Sequence, residues 1–159
     1  MVEYTIGLFY ALLGAAIAMG TGGISSAIGI GAAGVSGAGV ISEDPKKFGS
    51  VLVLQALPQT QGIYGFLGAI FILIGTGILS VVVPISDGVG LATLAAGIVI
   101  GLTSISAIPQ GLIAAAGINS VAKNPETFGR CIVLAVMAET FAIFGLLIAI
   151  FMFVGIGFV

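Results

Sequence analysis

Apolar residues run with few interruptions through four stretches of the chain, near residues 4–41, 48–83, 89–122 and 128–159. Each stretch is longer than the roughly 20 residues that an α-helix needs to cross a bilayer. Continuous apolar character without a period of two argues against membrane-spanning strands. The pattern therefore predicts an all-α membrane protein with four transmembrane helices, which we number helix 1 to helix 4.

The polar segments between these stretches carry signals for helix starts. Asp44-Pro45 and Asn124-Pro125 each place an Asx residue before a proline, the pattern of an N-cap followed by the first helical residue. After the second stretch, Ser86 and Asp87 are both candidate caps. We therefore expect helices 2 and 4 to begin at their prolines and helix 3 to begin beside Ser86 or Asp87.

The second half of the chain repeats the first at an offset of 80 residues. The matching segments are Ser26-Ala27-Ile28 with Ser106-Ala107-Ile108 and Asp44-Pro45-Lys46-Lys47-Phe48-Gly49 with Asn124-Pro125-Glu126-Thr127-Phe128-Gly129. Such self-similarity predicts a duplicated helical hairpin whose two copies enter the membrane in the same sense. We expect residues 1–80 to form the first repeat, with helices 1 and 2, and residues 81–159 to form the second, with helices 3 and 4.

The composition agrees with a membrane protein and excludes other classes. Only 6% of residues are charged and 59% are hydrophobic, whereas about a quarter of residues are charged in soluble domains. Twenty-six glycines predict helices that approach one another closely. No basic patch interleaved with aromatics suggests a nucleic-acid partner. The single Cys131 rules out an internal disulfide.

The basic residues indicate the orientation of the chain. All four lie at the connections between helices 1 and 2 and between helices 3 and 4: Lys46, Lys47, Lys123 and Arg130. The positive-inside rule places those connections in the cytoplasm and both termini on the non-cytoplasmic side. The first four residues lack the basic region of a cleaved signal peptide, so we expect helix 1 to be retained.

Glu139 is the one acidic residue expected deep in the membrane. At ~1.5 Å per residue it lies about 21 Å along helix 4 from Pro125. A carboxylate there is costly unless it is paired or protonated, so its default interpretation is a functional site. The structural alternative is a protonated Glu139 that only donates a hydrogen bond between helices. In the repeat register Gln59 stands opposite Glu139, so only the second copy keeps an ionisable group.

Helix 2 carries polar residues at a matching depth. Leu57, Thr60, Gln61 and Tyr64 follow the spacing i, i+3, i+4 and i+7, so they share one helix face. Pro58 removes a backbone donor beside them and can leave carbonyl oxygens free for a ligand. We expect this face to meet Glu139 across a helix interface.

Helix 3 adds a further amide, Gln110, directly after Pro109. The Glu139 carboxylate, two Gln carbonyl oxygens and a Thr hydroxyl, with a backbone carbonyl, make about five oxygen ligands, which suit a small hard cation. One negative charge balances one monovalent ion. A proton needs only the carboxyl group, so the surplus oxygens favour Na⁺, with H⁺ as the alternative.

As a set, these motifs resemble the proteolipid (K or c) subunit of V-type and A-type rotary ATPases, and most closely the sodium-translocating V-type form. The resemblance covers essentially the whole chain. It rests on the glycine-rich helix 1, the Asp44–Gly49 loop, Leu57-Pro58-Gln59-Thr60-Gln61-Gly62-Ile63-Tyr64-Gly65-Phe66, Gln110 with Ala114-Ala115-Ala116-Gly117-Ile118, and Met137-Ala138-Glu139-Thr140.

The resemblance implies a site and a set of partners. The implied Na⁺ ligands are Glu139, Gln110, Gln61, Thr60 and the Leu57 backbone carbonyl, with Tyr64 hydrogen-bonded to the Glu139 carboxylate. Identical subunits are expected to form a ring in the lipid bilayer of a prokaryotic cell, with helices 1 and 3 inside and helices 2 and 4 outside. The other implied partners are a stator subunit with an essential Arg and the central stalk of the ATPase. The chain itself is expected to be a non-catalytic, ion-translocating subunit.

Two other classes compete with this interpretation. A small four-helix antiporter for hydrophobic cations predicts an aromatic cage around its carboxylate, often with Trp, but the chain has no Trp. A purely structural proteolipid leaves Glu139 without a role. The segment Gly29-Ile30-Gly31-Ala32-Ala33-Gly34 matches the dinucleotide-binding pattern, but no predicted strand precedes it, so we interpret its glycines as a helix-packing surface.

Overall fold

The computed structural model describes residues 5–80 and 84–158 of the chain. Within these ranges four helices are long and apolar enough to cross a membrane: helix 1 (Ile6–Glu43), helix 2 (Pro45–Gly75), helix 3 (Asp87–Lys123) and helix 4 (Pro125–Gly155). No strand occurs in the described ranges. The prediction of an all-α protein with four membrane-length helices is therefore confirmed.

The predicted helix starts are confirmed by their capping bonds. Asp44 Oδ1 accepts the backbone N–H of Lys46 at 3.1 Å, and Asn124 Oδ1 accepts that of Glu126 at 3.1 Å. In both cases the proline opens a single 3₁₀ turn, which then continues as α-helix. Of the two candidates before helix 3, Ser86 is the N-cap, because its hydroxyl accepts the N–H of Val89.

Helices 2 and 4 end before the apolar stretches that contain them. Helix 2 ends at Gly75 rather than near residue 83, because Gly77 adopts a left-handed φ of 67° that an α-helix cannot continue. Helix 4 ends at Gly155, because Gly157 two residues later has a left-handed φ of 77°. The Phe158 N–H then donates to the Phe153 carbonyl, which is the bond of a Schellman motif. Residues 1–4, 81–83 and 159 lie outside the described residues. The predicted repeat boundary after residue 80 lies at the edge of one of these gaps.

Helix 3 contacts each of the other three helices. Helix 1 packs along helix 3 and against helix 2, while helix 4 lies mainly against helix 3. Backbones of helices 1 and 3 touch at three glycine pairs, where a Cβ on one glycine would overlap the backbone of the other: Gly7 with Gly90, Gly14 with Gly97, and Gly29 with Gly111. The close approach predicted from the glycine content is thus confirmed for this helix pair.

Two apolar clusters fill the interior, one toward each end of the bundle. One contains Leu8, Ile72 and Phe153, and the other contains Leu54, Ile118 and the buried Cys131. Six buried polar side chains, drawn from all four helices, lie between the clusters: Ser25, Ser26, Gln61, Ser104, Gln110 and Glu139. The packing therefore isolates one polar layer at the middle of the helices.

Candidate ion-binding site

Helices 2, 3 and 4 are each interrupted near their middle, beside this polar layer. Helix 2 has a 3₁₀ turn at Leu57–Gln59, helix 3 has a turn at residues 105–106, and helix 4 has a turn at residues 137–139. At each interruption the backbone bonds change from i−4 to i−3 partners, which shifts the directions of the following side chains. The three interruptions bring polar side chains of three helices to one place.

Proline accounts for two of the interruptions. The Pro58 ring interrupts helix 2 directly before the polar face, and Pro109 has no N–H to bond the carbonyl of Ile105. In helix 3 the N–H of Ile108 turns to Ile105 O, at 3.0 Å, which leaves the Ser104 carbonyl without its usual partner. Helix 4 has no proline at the corresponding place, since Ala138 stands where helix 2 has Pro58.

Glu139 is held by hydrogen bonds to both of its carboxyl oxygens. The Tyr64 hydroxyl donates to Oε1 at 2.8 Å, and the Gln110 side-chain amide donates to Oε2 at 3.4 Å. The Glu139 side chain is only 9% exposed. One donor thus comes from helix 2 and the other from helix 3, so the carboxylate joins three helices.

The two glutamine amides are paired with each other. Gln61 Nε2 donates to Gln110 Oε1 at 2.5 Å, and both side chains are fully buried, at 0% exposure. An amide oxygen has two lone pairs, so each can accept a hydrogen bond and still face a cation. Because Gln110 also donates to Glu139, the glutamine pair is linked to the carboxylate through the Gln110 side chain.

The Thr60 hydroxyl completes the polar group on helix 2. Its Oγ1 lies 3.0 Å from Leu57 O and 3.1 Å from Gln61 Oε1. The Leu57 backbone carbonyl, at the 3₁₀ turn, also accepts the backbone N–H of Thr60. Hydroxyl, amide and backbone oxygens lie next to one another along this face.

The structure therefore brings together all six residues that the sequence analysis singled out: Leu57, Thr60, Gln61, Tyr64, Gln110 and Glu139. Gln59, the repeat counterpart of Glu139, is exposed instead. Among the described residues no group of three or more His, Cys, Asp or Glu side chains is placed to hold a metal ion. Both groups that donate hydrogen bonds to the Glu139 carboxylate, the Tyr64 hydroxyl and the Gln110 amide, are neutral.

Sequence reasoning missed three serines that support the site. The Ser25 hydroxyl of helix 1 lies 2.9 Å from the Ser104 carbonyl, the oxygen freed by the helix 3 interruption, and 2.7 Å from the Thr21 carbonyl of its own helix. The Ser104 hydroxyl lies 3.4 Å from the Gln61 carbonyl. Ser26 accepts the Gly62 N–H at 2.8 Å, in the first turn after the helix 2 interruption. Their signal was a pair of adjacent polar residues, Ser25-Ser26, in an otherwise apolar helix.

Comparison with known proteins agrees with this arrangement. The family model for the ATP synthase C subunit matches the chain twice, over residues 13–72 and over residues 94–152. The chain belongs to this ATP synthase family. The double match confirms the duplicated hairpin, and the second range includes Glu139. Together with the four long apolar helices, it makes the chain an integral, multi-pass membrane protein.

Individual relatives of this family confirm the resemblance to proteolipid subunits. The chain is 49% identical over 149 residues to the A-type ATP synthase subunit K of Methanocaldococcus jannaschii, spanning 94% of this chain but only 64% of that protein. It is 42% identical over 154 residues to the V-type sodium ATPase subunit K of Enterococcus hirae, spanning 94% of this chain and 96% of that protein. The 16 kDa proteolipid of the V-type proton ATPase of Bos taurus is 25% identical over 147 residues, spanning 89% of each chain.

Proposed function

We propose that the chain is a membrane rotor ring subunit of a V-type ATPase and carries Na⁺ across the bilayer by reversible binding at Glu139. Ring rotation is driven by ATP hydrolysis elsewhere in the complex, and the subunit itself is not catalytic. The observation that carries the proposal is the buried Glu139 carboxylate, which Tyr64 and Gln110 hold from two neighbouring helices. Family membership supports the rotor assignment.

The proposed Na⁺ ligands are the five oxygen-bearing groups that the helix interruptions bring together. They are the Leu57 carbonyl, the Thr60 hydroxyl, the amide oxygens of Gln61 and Gln110, and the Glu139 carboxylate. Tyr64 orients the carboxylate. An all-oxygen set with one negative charge suits a small hard monovalent cation.

The choice of Na⁺ over H⁺ rests on the surplus of oxygens and on the relatives. The 42% identical Enterococcus hirae relative is named a sodium ATPase subunit, and the 25% identical relatives are named proton ATPase subunits. A proton carrier requires only the carboxyl group, which leaves Thr60, Gln61 and Gln110 unexplained. The same ring carrying H⁺ is the alternative.

Transport follows from the charge of the loaded site. With Na⁺ bound, the Glu139 charge is balanced and the ring can rotate past lipid at low electrostatic cost. Without the ion, the carboxylate is attracted to an essential Arg on the stator, and the ion exchanges there. Since Gln59 replaces a second acid, each chain carries one ion.

The orientation and surroundings complete the proposal. The positive-inside rule supports a cytoplasmic position for the two hairpin connections, against the central stalk, and the opposite side for both termini, because the connections carry Lys46, Lys47, Lys123 and Arg130. Lys47 Nζ donates to Val121 O and Ala122 O, so it also covers the C-terminal carbonyls of helix 3. The two more similar relatives come from prokaryotes, which supports a prokaryotic cell membrane.

Carbodiimide labelling of Glu139 in the isolated ring tests the function. Bound Na⁺ shields the carboxylate, so Na⁺ is expected to slow labelling at a pH where protons are scarce, while K⁺ at equal ionic strength leaves the rate unchanged. Equal labelling with and without Na⁺ would instead support H⁺ as the carried ion.

A further inference from the structure

Ser106 of helix 3 has a hydroxyl that is buried and makes no hydrogen bond within the described part of the chain. Other hydroxyls of this helix bond the backbone of their own helix. Thr103 Oγ1 donates to Val99 O at 2.8 Å, and Ser104 Oγ donates to Ile100 O at 2.7 Å. Because an unpaired hydroxyl in a protein interior is costly, the exception at Ser106 requires an explanation.

The spacing along helix 3 directs Ser106 toward helix 4, beside the carboxylate. A Cβ added at Gly145 of helix 4 would overlap the Thr103 side chain, and the Gln110 amide donates to Glu139. Ser106 follows Thr103 by three residues and precedes Gln110 by four, so the three side chains share one face. Ser106 therefore faces helix 4 between Glu139 and Gly145.

The first repeat shows how the equivalent serine is bonded. Ser26, the counterpart of Ser106, accepts the N–H of Gly62 at 2.8 Å. A Cβ added at Gly62 would lie only 3.1 Å from Ser26 Oγ, so the methyl group of its counterpart Ala142 obstructs the same bond in the second repeat. The Ala142 N–H donates instead to the Glu139 backbone carbonyl at 3.0 Å. Ser106 thus lies beside a backbone bond that belongs to the helix 4 interruption.

The interruption of helix 4 can close, whereas those of helices 2 and 3 cannot. Pro58 and Pro109 have no N–H with which to restore a regular helix. In helix 4 the N–H groups of Ala138 and Glu139 are present and donate to i−3 carbonyls, at 3.3 and 3.0 Å. A return of these N–H groups to their i−4 partners makes helix 4 continuous.

Closing this turn rotates the carboxylate away from its partners. A 3₁₀ turn advances by about 120° per residue and an α-helix by about 100°, so closing residues 137–139 rotates Glu139 by about 60° relative to the preceding part of the helix. The interrupted turn directs the carboxylate to Tyr64 and Gln110. The closed turn removes it from them.

We propose that Ser106 is a positioning residue for ion release. When the helix 4 turn closes, the Ala142 N–H returns to the Ala138 carbonyl, and the Ser106 hydroxyl takes its place as a donor to the Glu139 backbone carbonyl. The hydroxyl is unpaired while the turn is interrupted and paired once the turn closes, so it favours release of the ion. This role rests on the proposed function, the reversible binding of Na⁺ at Glu139.

Dissociation of ²²Na⁺ from purified rings into unlabelled Na⁺ tests the role. Ser106→Ala removes about one hydrogen bond from the closed turn, so we expect dissociation to slow about fivefold, with a Kd that is unchanged or lower. The matched control is Ser42→Ala, an exposed serine near the end of helix 1, which should release Na⁺ at the wild-type rate. Mere damage to the site would speed dissociation and weaken binding. Unchanged or faster dissociation from Ser106→Ala rings overturns the proposal.

A second variant, Ala138→Pro, keeps the helix 4 turn interrupted as Pro58 does in helix 2. The preceding residue already has a suitable backbone, since Met137 has φ −58° and ψ −33° and Leu57 has φ −55° and ψ −49°. We expect Ala138→Pro to slow dissociation at least as much as Ser106→Ala does, and the double variant to be no slower than Ala138→Pro alone. Additive slowing overturns the proposal, because the hydroxyl would then act without closure of the turn.

Carbodiimide labelling without Na⁺ separates this proposal from the proposed function. The reagent reaches the Glu139 carboxylate when it has turned away from Tyr64 and Gln110, so we expect Ser106→Ala rings to be labelled about fivefold more slowly than wild-type rings. Labelling of Ser106→Ala at the wild-type rate overturns the role of Ser106, whichever ion the ring carries. Intact wild-type rings that bind no ²²Na⁺ overturn the Na⁺ assignment and leave this labelling test standing.

Discussion

Replacing Tyr64 by phenylalanine removes one atom from the site, the hydroxyl oxygen that donates to Glu139 Oε1 at 2.8 Å. The ring of residue 64 keeps its place between helices 2 and 4, so the packing is unchanged. The carboxylate loses one of the two hydrogen bonds that the protein gives it, and the bond from Gln110, at 3.4 Å, is the weaker one. The variant therefore isolates how much orientation by Tyr64 contributes to ion binding.

Hydrogen bonds to charged groups contribute about 1.5–3 kcal/mol. Tyr64 is partly exposed, so we take the lower end of this range, which corresponds to about a tenfold change in Kd. The ion-free carboxylate can be hydrated at the stator and loses less from the substitution than the ion-bound carboxylate does. We therefore expect Tyr64→Phe to weaken Na⁺ binding about tenfold.

The assay is equilibrium binding of ²²Na⁺ to purified rings, with Tyr10→Phe as the matched control. Tyr10 lies near the start of helix 1, far from the polar layer, and its ring packs beside Phe9. We expect wild-type affinity for the control. An unchanged Kd in Tyr64→Phe rings that assemble normally would refute the assigned role of the hydroxyl.

Three further predictions concern the ligands, the supporting serines and the glycine contacts. Gln110→Ala removes an amide oxygen and the amide that donates to the Glu139 carboxylate, so ²²Na⁺ binding should weaken more than about tenfold. The control Gln59→Ala should bind Na⁺ normally. Equal effects of the two changes would contradict the ligand assignment. Ser25→Ala removes the hydroxyl that lies 2.9 Å from the buried Ser104 carbonyl, which should cost about 1–3 kcal/mol of stability. The thermal midpoint of the ring in detergent measures this cost, and an unchanged midpoint would contradict the supporting role of Ser25. Gly97→Ala places a methyl group against the helix 1 backbone and should reduce the yield of folded protein sharply. The control Gly88→Ala places its methyl group in open space and should not reduce the yield. Equal yields would argue against the tight helix contact.

Much of the site could be predicted from the sequence because its chemistry is costly in a membrane. Glu139 stood out since an isolated carboxylate in an apolar helix requires a function. Thr60, Gln61 and Tyr64 could be placed on one face by their spacing alone. The caps at Asp44 and Asn124 followed from local rules that need no tertiary contact.

Other features depend on packing between helices and left little local signal. The interruption of helix 4 at Glu139 has no proline, so the sequence of that helix reads as continuous. The pairing of Gln61 with Gln110 joins residues of helices 2 and 3, so it depends on how these two helices pack against each other. The role of Ser25 depends on a carbonyl that becomes free only once helix 3 is interrupted.

Transport by the complete complex tests the central claim most directly. Glu139→Gln replaces the carboxylate by an amide of nearly the same shape, so rings should assemble while the charge that balances Na⁺ is lost. In the reconstituted ATPase we predict that ATP-driven ²²Na⁺ uptake falls to the level of vesicles without ATP. Uptake at the wild-type rate by the Glu139→Gln complex would contradict the account.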